Sequence, residues 1–272
     1  MGLTYSTPRQ VATPLKRADT ADVGRDVWSK RDWVFDPLTG VIAASVSLRS
    51  KMPVVGECPP GRGVACALAT LVAYDTRGEM RPSVDFIHYN AKRLMGEASA
   101  GGGGVMTIRS GFSAIKRHGL CHNDTFPMND FYDDIAPSDV CYQEGALYTA
   151  FEYYRVHNDD LLELCKCIAT GFPVVFGLEM LASASFDNRG KLVHDDDDDD
   201  GGDDDSPRSF ALVAVGYDDA TSLVEFRSFR GDAWGDGGYG YIDYGYMAKH
   251  AHSMWVLRSE DYDQDDGPVS MF

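Results

Sequence analysis

The sequence predicts an α+β protein built in two lobes, and three observations predict it. The first half reads as helices, the second half reads as short strands separated by turn residues, and no internal repeat interrupts that change. A chain of 272 residues that is 44% hydrophobic has the length and apolar content to bury a core spanning both halves. The boundaries follow from composition. Residues 1–45 read as an extended N-terminal arm, 46–150 as a helical lobe, 151–260 as a β-rich lobe interrupted by an acidic loop at 194–207, and 261–272 as a C-terminal tail.

The arm carries Pro8, Pro14 and Pro37 among scattered charges and shows no sustained period. Its segment RDVWSKRDWVF holds Trp28 and Trp33, both expected to pin it to the main body because large aromatics seldom face solvent. The first helix is predicted over Val64–Thr76. VACALATLVAY is apolar on nearly every side, as a buried central helix requires, and Gly61 and Gly63 loosen the backbone just before it. A second helix runs from an N-cap at Ser83 to a stop at Gly96. A run of four glycines, 101–104, then leads to a third helix, Thr107–His118, ending at Gly119. That run lacks the Lys-Ser/Thr ending and the preceding strand of a phosphate loop, so it reads as a turn and implies no cofactor.

In the second half, LYTAFEYYRV and FPVVFGLEM read as strands flanking a short helix in DDLLELCKCIATG, which starts at Asp159/Asp160 and stops at Gly171. SFALVAVGYDD, LVEFRSF, GYGYIDYGYM and SMWVLRS read as four further strands.

Charge excludes one class of function. The formal net charge is −17, and a primary nucleic-acid partner calls for a basic face. Roughly half of that excess sits in HDDDDDDGGDDDSP, His194–Pro207, read as a solvated surface insertion. The alternatives for it are a weak calcium site or a docking surface for a basic partner. It lacks the ligand spacing of a high-affinity calcium loop, and no metal is expected. The six cysteines (Cys58, Cys66, Cys121, Cys141, Cys165 and Cys167) are too sparse for a disulfide scaffold, and no signal-peptide pattern or membrane-length apolar run accompanies them. They are expected as free thiols of an intracellular, reducing compartment, in a protein that is not secreted. The CKC pair, Cys165 and Cys167, has no partner pair for a metal site. MGLTYS fits the acceptor pattern for N-myristoylation, which makes Gly2 a lipidation candidate and a point of membrane contact; the alternative is an ordinary terminus.

Four stretches carry a family resemblance. SVSLRSKMPVVGECPPGRGVACALA, FIHYNAKR, GFPVVFGLEM and SFALVAVGYDD…FRSFRGDAWGDGGYGYI follow one another with the spacing of the papain-like cysteine peptidases, from about Lys30 to Arg258. The chain resembles in particular the compact members found in large DNA viruses and bacteria. The resemblance implies a papain-like fold, a helical lobe facing a β-barrel-like lobe across a cleft. The family's chemistry uses a cysteine thiolate at a helix N-terminus, a histidine that pairs with it, an asparagine that orients the histidine and a glutamine that donates to the oxyanion. Carried over residue by residue, these positions hold Gly63 for the nucleophile, Phe210 for the histidine, Ser228 for the asparagine and Glu57 for the glutamine, and Arg230 stands where a shielding tryptophan is usual. The flanking scaffold is kept at Gly61, Ala65, Leu68, Gly216, Tyr217, Trp234, Gly235, Gly238 and Tyr239.

The reading is therefore a papain fold without its active site, not an enzyme, with no cofactor. It serves as a structural or binding component, its partners being proteins, such as the capsid or virion proteins of a virus particle. Gly61, Arg62, Arg230 and Trp234 are the candidate walls of a residual cleft. Two alternatives stand beside it: a peptidase whose nucleophile has moved to Cys66 or Cys58, and a peptide-binding module that uses the old cleft with Phe210 and Arg230 as new walls.

Overall fold

A computed structural model describes residues 23–259 apart from 31, 38–39, 99–104, 130–134, 158–160, 182 and 195–207. Gly2, the first part of the arm, the aspartates of the acidic loop and the C-terminal tail therefore lie outside the described residues.

Helix α1 spans Gly63–Asp75 and is buried from Gly63 to Val72, as an element apolar all round must be. Helix α2, Val84–Ala98, starts where Ser83 Oγ accepts the Phe86 N–H at 3.1 Å. Helix α3, Ile108–His118, opens with a reciprocal capping box between Thr107 and Ser110 and ends at Gly119, with φ of 70°. A short helix α4, Asp139–Gly145, lies in a stretch that carried no strong sequence signal.

One antiparallel sheet draws all but one of its strands from the second half. It comprises β1 (Ser45–Ser47), β2 (Phe151–Arg155), β3 (Val174–Met180), β6 (Arg208–Asp218), β7 (Leu223–Arg227), β8 (Tyr239–Asp243) and β9 (Ala251–Ser259). The order is β2-β9-β3-β6-β7-β8, with β1 also paired to β6. A small hairpin of β4 (Ser185–Phe186) and β5 (Leu192–Val193) stands apart, and helix α5, Leu161–Ala169, joins β2 to β3. Expected as one strand, GYGYIDYGYM divides into β8 and a helix, α6 (Tyr244–His250). Asp243 decides the switch, because its side chain accepts the Tyr246 N–H at 2.8 Å and caps the new helix. One hydrophobic core runs through both halves, joining Leu68 of α1 and Phe112 of α3 to Phe176 of β3, Val213 of β6 and Trp255 of β9.

The described part of the arm is pinned chiefly through its backbone and two carboxylates, Asp26 and Asp32, the latter accepting from Arg109 and, at 3.3 Å, from the Arg155 guanidinium. Asp26 accepts from Trp255 Nε1 at 2.9 Å and from the Arg109 N–H at 3.2 Å. The buried Arg155 guanidinium donates to the Asp26 carbonyl at 3.2 Å and lies 4.4 Å over the Trp28 ring. Trp28 thus packs on Arg155 but stays 48% exposed, so it pins the arm without being shielded from solvent. Trp33 does not, for its ring is 74% exposed and only its carbonyl is engaged, by Arg155 N–H at 2.7 Å.

Candidate functional site

The four positions that the resemblance assigns lie on α1, on the loop before it, on β6 and just after β7. Gly63 is the buried first residue of α1, which packs against β6. A helix N-terminus concentrates positive partial charge, and that charge can acidify a thiol placed there. Gly63 places no side chain in it. The preceding loop is sewn to the segment after β7: the Cys58 N–H donates to the Phe229 carbonyl at 2.9 Å, and Glu57 forms an isolated antiparallel bridge with Arg230. Gly231 permits this approach. Its φ is 83°, and a side chain there would meet Glu57 Cγ at 2.9 Å. Glu57, Ser228 and Arg230 are thereby brought together. Ser228 is buried, and its hydroxyl accepts the Arg230 N–H at 3.3 Å. Phe210 stands on β6 opposite Leu178 of β3, partly buried against the core.

Chemically, this set can present an exposed carboxylate at Glu57 and a guanidinium at Arg230, the latter 5.7 Å over the Trp234 ring. It holds no thiolate and no imidazole. Of the other cleft candidates, Gly61 is exposed with φ of 79°, and Trp234 packs edge-on to Phe186 at 5.4 Å. Arg62 departs from expectation. It is 4% exposed and turns into the protein, donating to the Asp85 carboxylate and to the Asn129 carbonyl, so it braces α2 rather than lining a cleft.

Comparison with known proteins agrees with this geometry. The cysteine protease xylellain from Xylella fastidiosa superposes with a TM-score of 0.74, at 25% identity over 91% of this chain and 99% of its own. Procathepsin L 3 from Tenebrio molitor larval midgut superposes with a TM-score of 0.59, at 17% identity over 89% of this chain and 77% of its own. In sequence, an uncharacterized peptidase C1-like protein of Acanthamoeba polyphaga mimivirus is 23% identical over 248 residues, covering 84% of this chain and 75% of that protein. No family model matches the sequence. The chain is a papain-like cysteine peptidase homologue.

For this papain-like homologue, the expectation of six free thiols is overturned. Cys58 and Cys66 are joined by a disulfide, closing a loop of sequence separation 8 around Gly63. The bridge forms because Cys66, in the first turn of α1, comes within a Cα separation of 6.3 Å of the entry loop. Neither sulfur can act as a displaced nucleophile while the bond is intact, since attack requires a thiolate. The remaining four cysteines are buried. Burial is the main cause that pushes the Cys167 thiol up to about 12, and it likewise raises Cys121, aided by the neighbouring Glu144. Among the described residues no helix is long and apolar enough to cross a membrane, and no cluster of ligating side chains could hold a metal.

Sequence reasoning missed one residue beside the site. His252, on β9, places Nε2 3.1 Å from Ser209 Oγ, on the residue preceding Phe210, and Nδ1 3.1 Å from Ser253 Oγ. Side chains alternate along β6, so the imidazole lies on the face opposite Phe210. Its ring occupies a slot over Gly177, where an added Cβ would fall 2.6 Å from Nδ1. Burial, reinforced by Arg25, lowers its pKa to about 4 against the pull of Glu179 and Asp26, so it is neutral at pH 7. The available signal was a glycine inside the strand VVFGLEM, which marks a close approach.

Proposed function

We propose that this papain-like homologue is non-catalytic and acts as a structural or binding component of a large DNA virus particle. One observation carries the reading. Gly63 stands at the N-terminus of α1, where the family's chemistry needs a thiolate, and a glycine cannot attack a carbonyl. Phe210 and Ser228 support it, because neither supplies the general base or its orienting amide. The viral part is supported by the mimivirus relative alone. In that setting the partners are proteins of the particle, and Gly2 offers an acylation point for contact with an internal membrane.

The test is intact mass after incubation with a cysteine-directed peptidyl electrophile, run on folded and on denatured, reduced protein. The folded protein is expected to stay unmodified; the four free thiols are expected to label on unfolding alone, and Cys58 and Cys66 only after reduction as well. Rapid stoichiometric labelling of the folded chain, together with peptide hydrolysis, overturns the non-catalytic reading. The particle reading is tested separately, by mass spectrometry of purified virions, and fails if the chain is absent from them. The same spectra report whether Gly2 carries a myristoyl chain.

A further inference from the structure

The two ends of the Cys58–Cys66 bridge differ in their access to solvent. Cys66 lies in the first turn of α1 and is 7% exposed. Cys58 is half-buried on the entry loop, among the exposed Gly56, Glu57, Pro60 and Gly61. A side chain added at Gly56 or at Gly61 would meet nothing within 4 Å, so the approach to Cys58 is open from either flank. A nucleophile from solution therefore reaches the Cys58 sulfur first, and access decides which sulfur of a disulfide is attacked.

The buried end is prepared for the charge that such an attack releases. Helical side chains lean toward the N-terminus of their helix, which sets the Cys66 sulfur beside the opening turn of α1. No side chain caps that turn, and no acidic residue stands in it. Among the described residues the N–H groups of Gly63, Val64 and Ala65 have no acceptor. Unpaired amide donors at the positive end of a helix favour an anion.

The loop is also fastened without its sulfurs. The Cys58 N–H holds the Phe229 carbonyl at 2.9 Å, Glu57 bridges Arg230, and the Arg62 N–H closes a turn on the Pro59 carbonyl at 3.3 Å. The Arg62 guanidinium, at the N-cap, is anchored to Asp85 of α2. Cutting the sulfur bond therefore leaves the two cysteines facing each other. The other four cysteines are buried, which confines exchange to this pair.

We propose that Cys58 is an acceptor site for an external alkyl thiol, with Cys66 as its resolving partner. The incoming thiolate attacks Cys58 Sγ and forms a new S–S bond there. The Cys58–Cys66 bond breaks, and its electron pair leaves on Cys66 Sγ as a thiolate beside the α1 N–H groups. One thiolate is consumed and one is made, so no further oxidant or reductant is needed. In reverse, Cys66 attacks Cys58 Sγ and expels the guest thiol. The site is stoichiometric: it tethers a thiol-bearing molecule to the entry loop and lets it go. It involves no peptide hydrolysis and goes beyond the particle reading, so it stands or falls apart from both. A small soluble thiol and a cysteine on a peptide chain share this chemistry.

The test uses the full chain, folded and oxidised, with reduced glutathione in one arm and a capped, cysteine-containing pentapeptide in the other. Each reaction is quenched with excess N-ethylmaleimide and mapped by mass spectrometry. The expected product carries the guest on Cys58 and maleimide on Cys66. It should form at a rate proportional to thiol concentration, at least about tenfold faster than the four buried thiols become open to maleimide. A product in one arm alone supports the proposal and names the source of the thiol. Cys66→Ala should take up glutathione on Cys58 from its oxidised form, and hold it at least about tenfold longer than the wild type once free thiol is removed. Should that variant fail to fold, the wild-type mapping decides. Opening that is independent of thiol concentration and keeps step with the buried thiols overturns the proposal, because the bond then yields only on unfolding. So does a guest on Cys66, or no product in either arm.

Discussion

Cys58 and Cys66 are bonded across the N-terminus of α1, so the sulfur bridge straddles Gly63. Where the family's chemistry places a reactive sulfur, this chain carries two sulfurs tied to each other. The loop holding Glu57 is thereby fastened to the first turn of the helix on one side, as it is to Phe229 and Arg230 on the other.

The bridge should therefore contribute stability without contributing peptidase chemistry. Closing so short a loop restricts the unfolded chain by about 2.5 kcal/mol. Cys66→Ala is expected to lower the unfolding free energy from urea titration by that order, and a reductant should do the same to the wild type while leaving the variant unaffected. Thiol counting under denaturing, non-reducing conditions should find four reactive groups. Six would mean that the bridge is absent.

A second prediction concerns Arg62 and Asp85, a buried pair that no rule of helix entry required. Removing the guanidinium in Arg62→Met leaves the Asp85 carboxylate buried without its counter-charge, still accepting the Asn129 N–H at 2.7 Å. The cost should be about 3–5 kcal/mol, and replacing both residues with apolar ones should recover most of it. If the single variant unfolds within about 1 kcal/mol of the wild type, the pair is not buried as described.

Much of this fold could be read from local chemistry. The apolar run of α1, the Ser83 cap and the Gly119 stop are signals held within one turn of chain, and the structure places all three as expected. The residues at the positions of Gly63, Phe210 and Ser228 were equally local to read. What escaped was long-range. Arg62 looked like a cleft residue because Asp85, its partner, lies on another helix. His252 looked irrelevant to Phe210 because β9 returns to Ser209 across a sequence separation of 43. Cys58 and Cys66 read as thiols because composition speaks to redox setting and not to whether two sulfurs meet. Trp33 was expected to be buried by its type, yet Arg155 satisfies the arm through the Trp33 carbonyl and leaves the ring outside.

Gly177 and His252 supply a third prediction. The imidazole fills the space that a side chain at 177 would need. Gly177→Ala should cost about 1–3 kcal/mol with His252 present and little in a His252→Ala background. Equal costs in the two backgrounds would mean that the ring does not occupy that slot.

His252 also fixes a pH dependence with a definite sign. In the folded protein it takes up a proton only near pH 4, well below the ordinary value of 6.5, because burial and Arg25 oppose the charged form. In the unfolded chain it does so near 6.5. Between those values the unfolded state binds the extra proton, so acid favours unfolding. The stability that the neutral ring confers is complete above about pH 6.5 and is lost as pH falls toward 4, on the order of 3 kcal/mol in all. Carboxylates titrate in the lower part of this window too, so the informative quantity is the difference from His252→Gln, which keeps polar groups in the slot and cannot titrate. Urea midpoints measured from pH 7.5 to pH 4.5 should fall more steeply for the wild type than for the variant. Parallel curves would show that the imidazole is already protonated, and hence solvated, in the folded state.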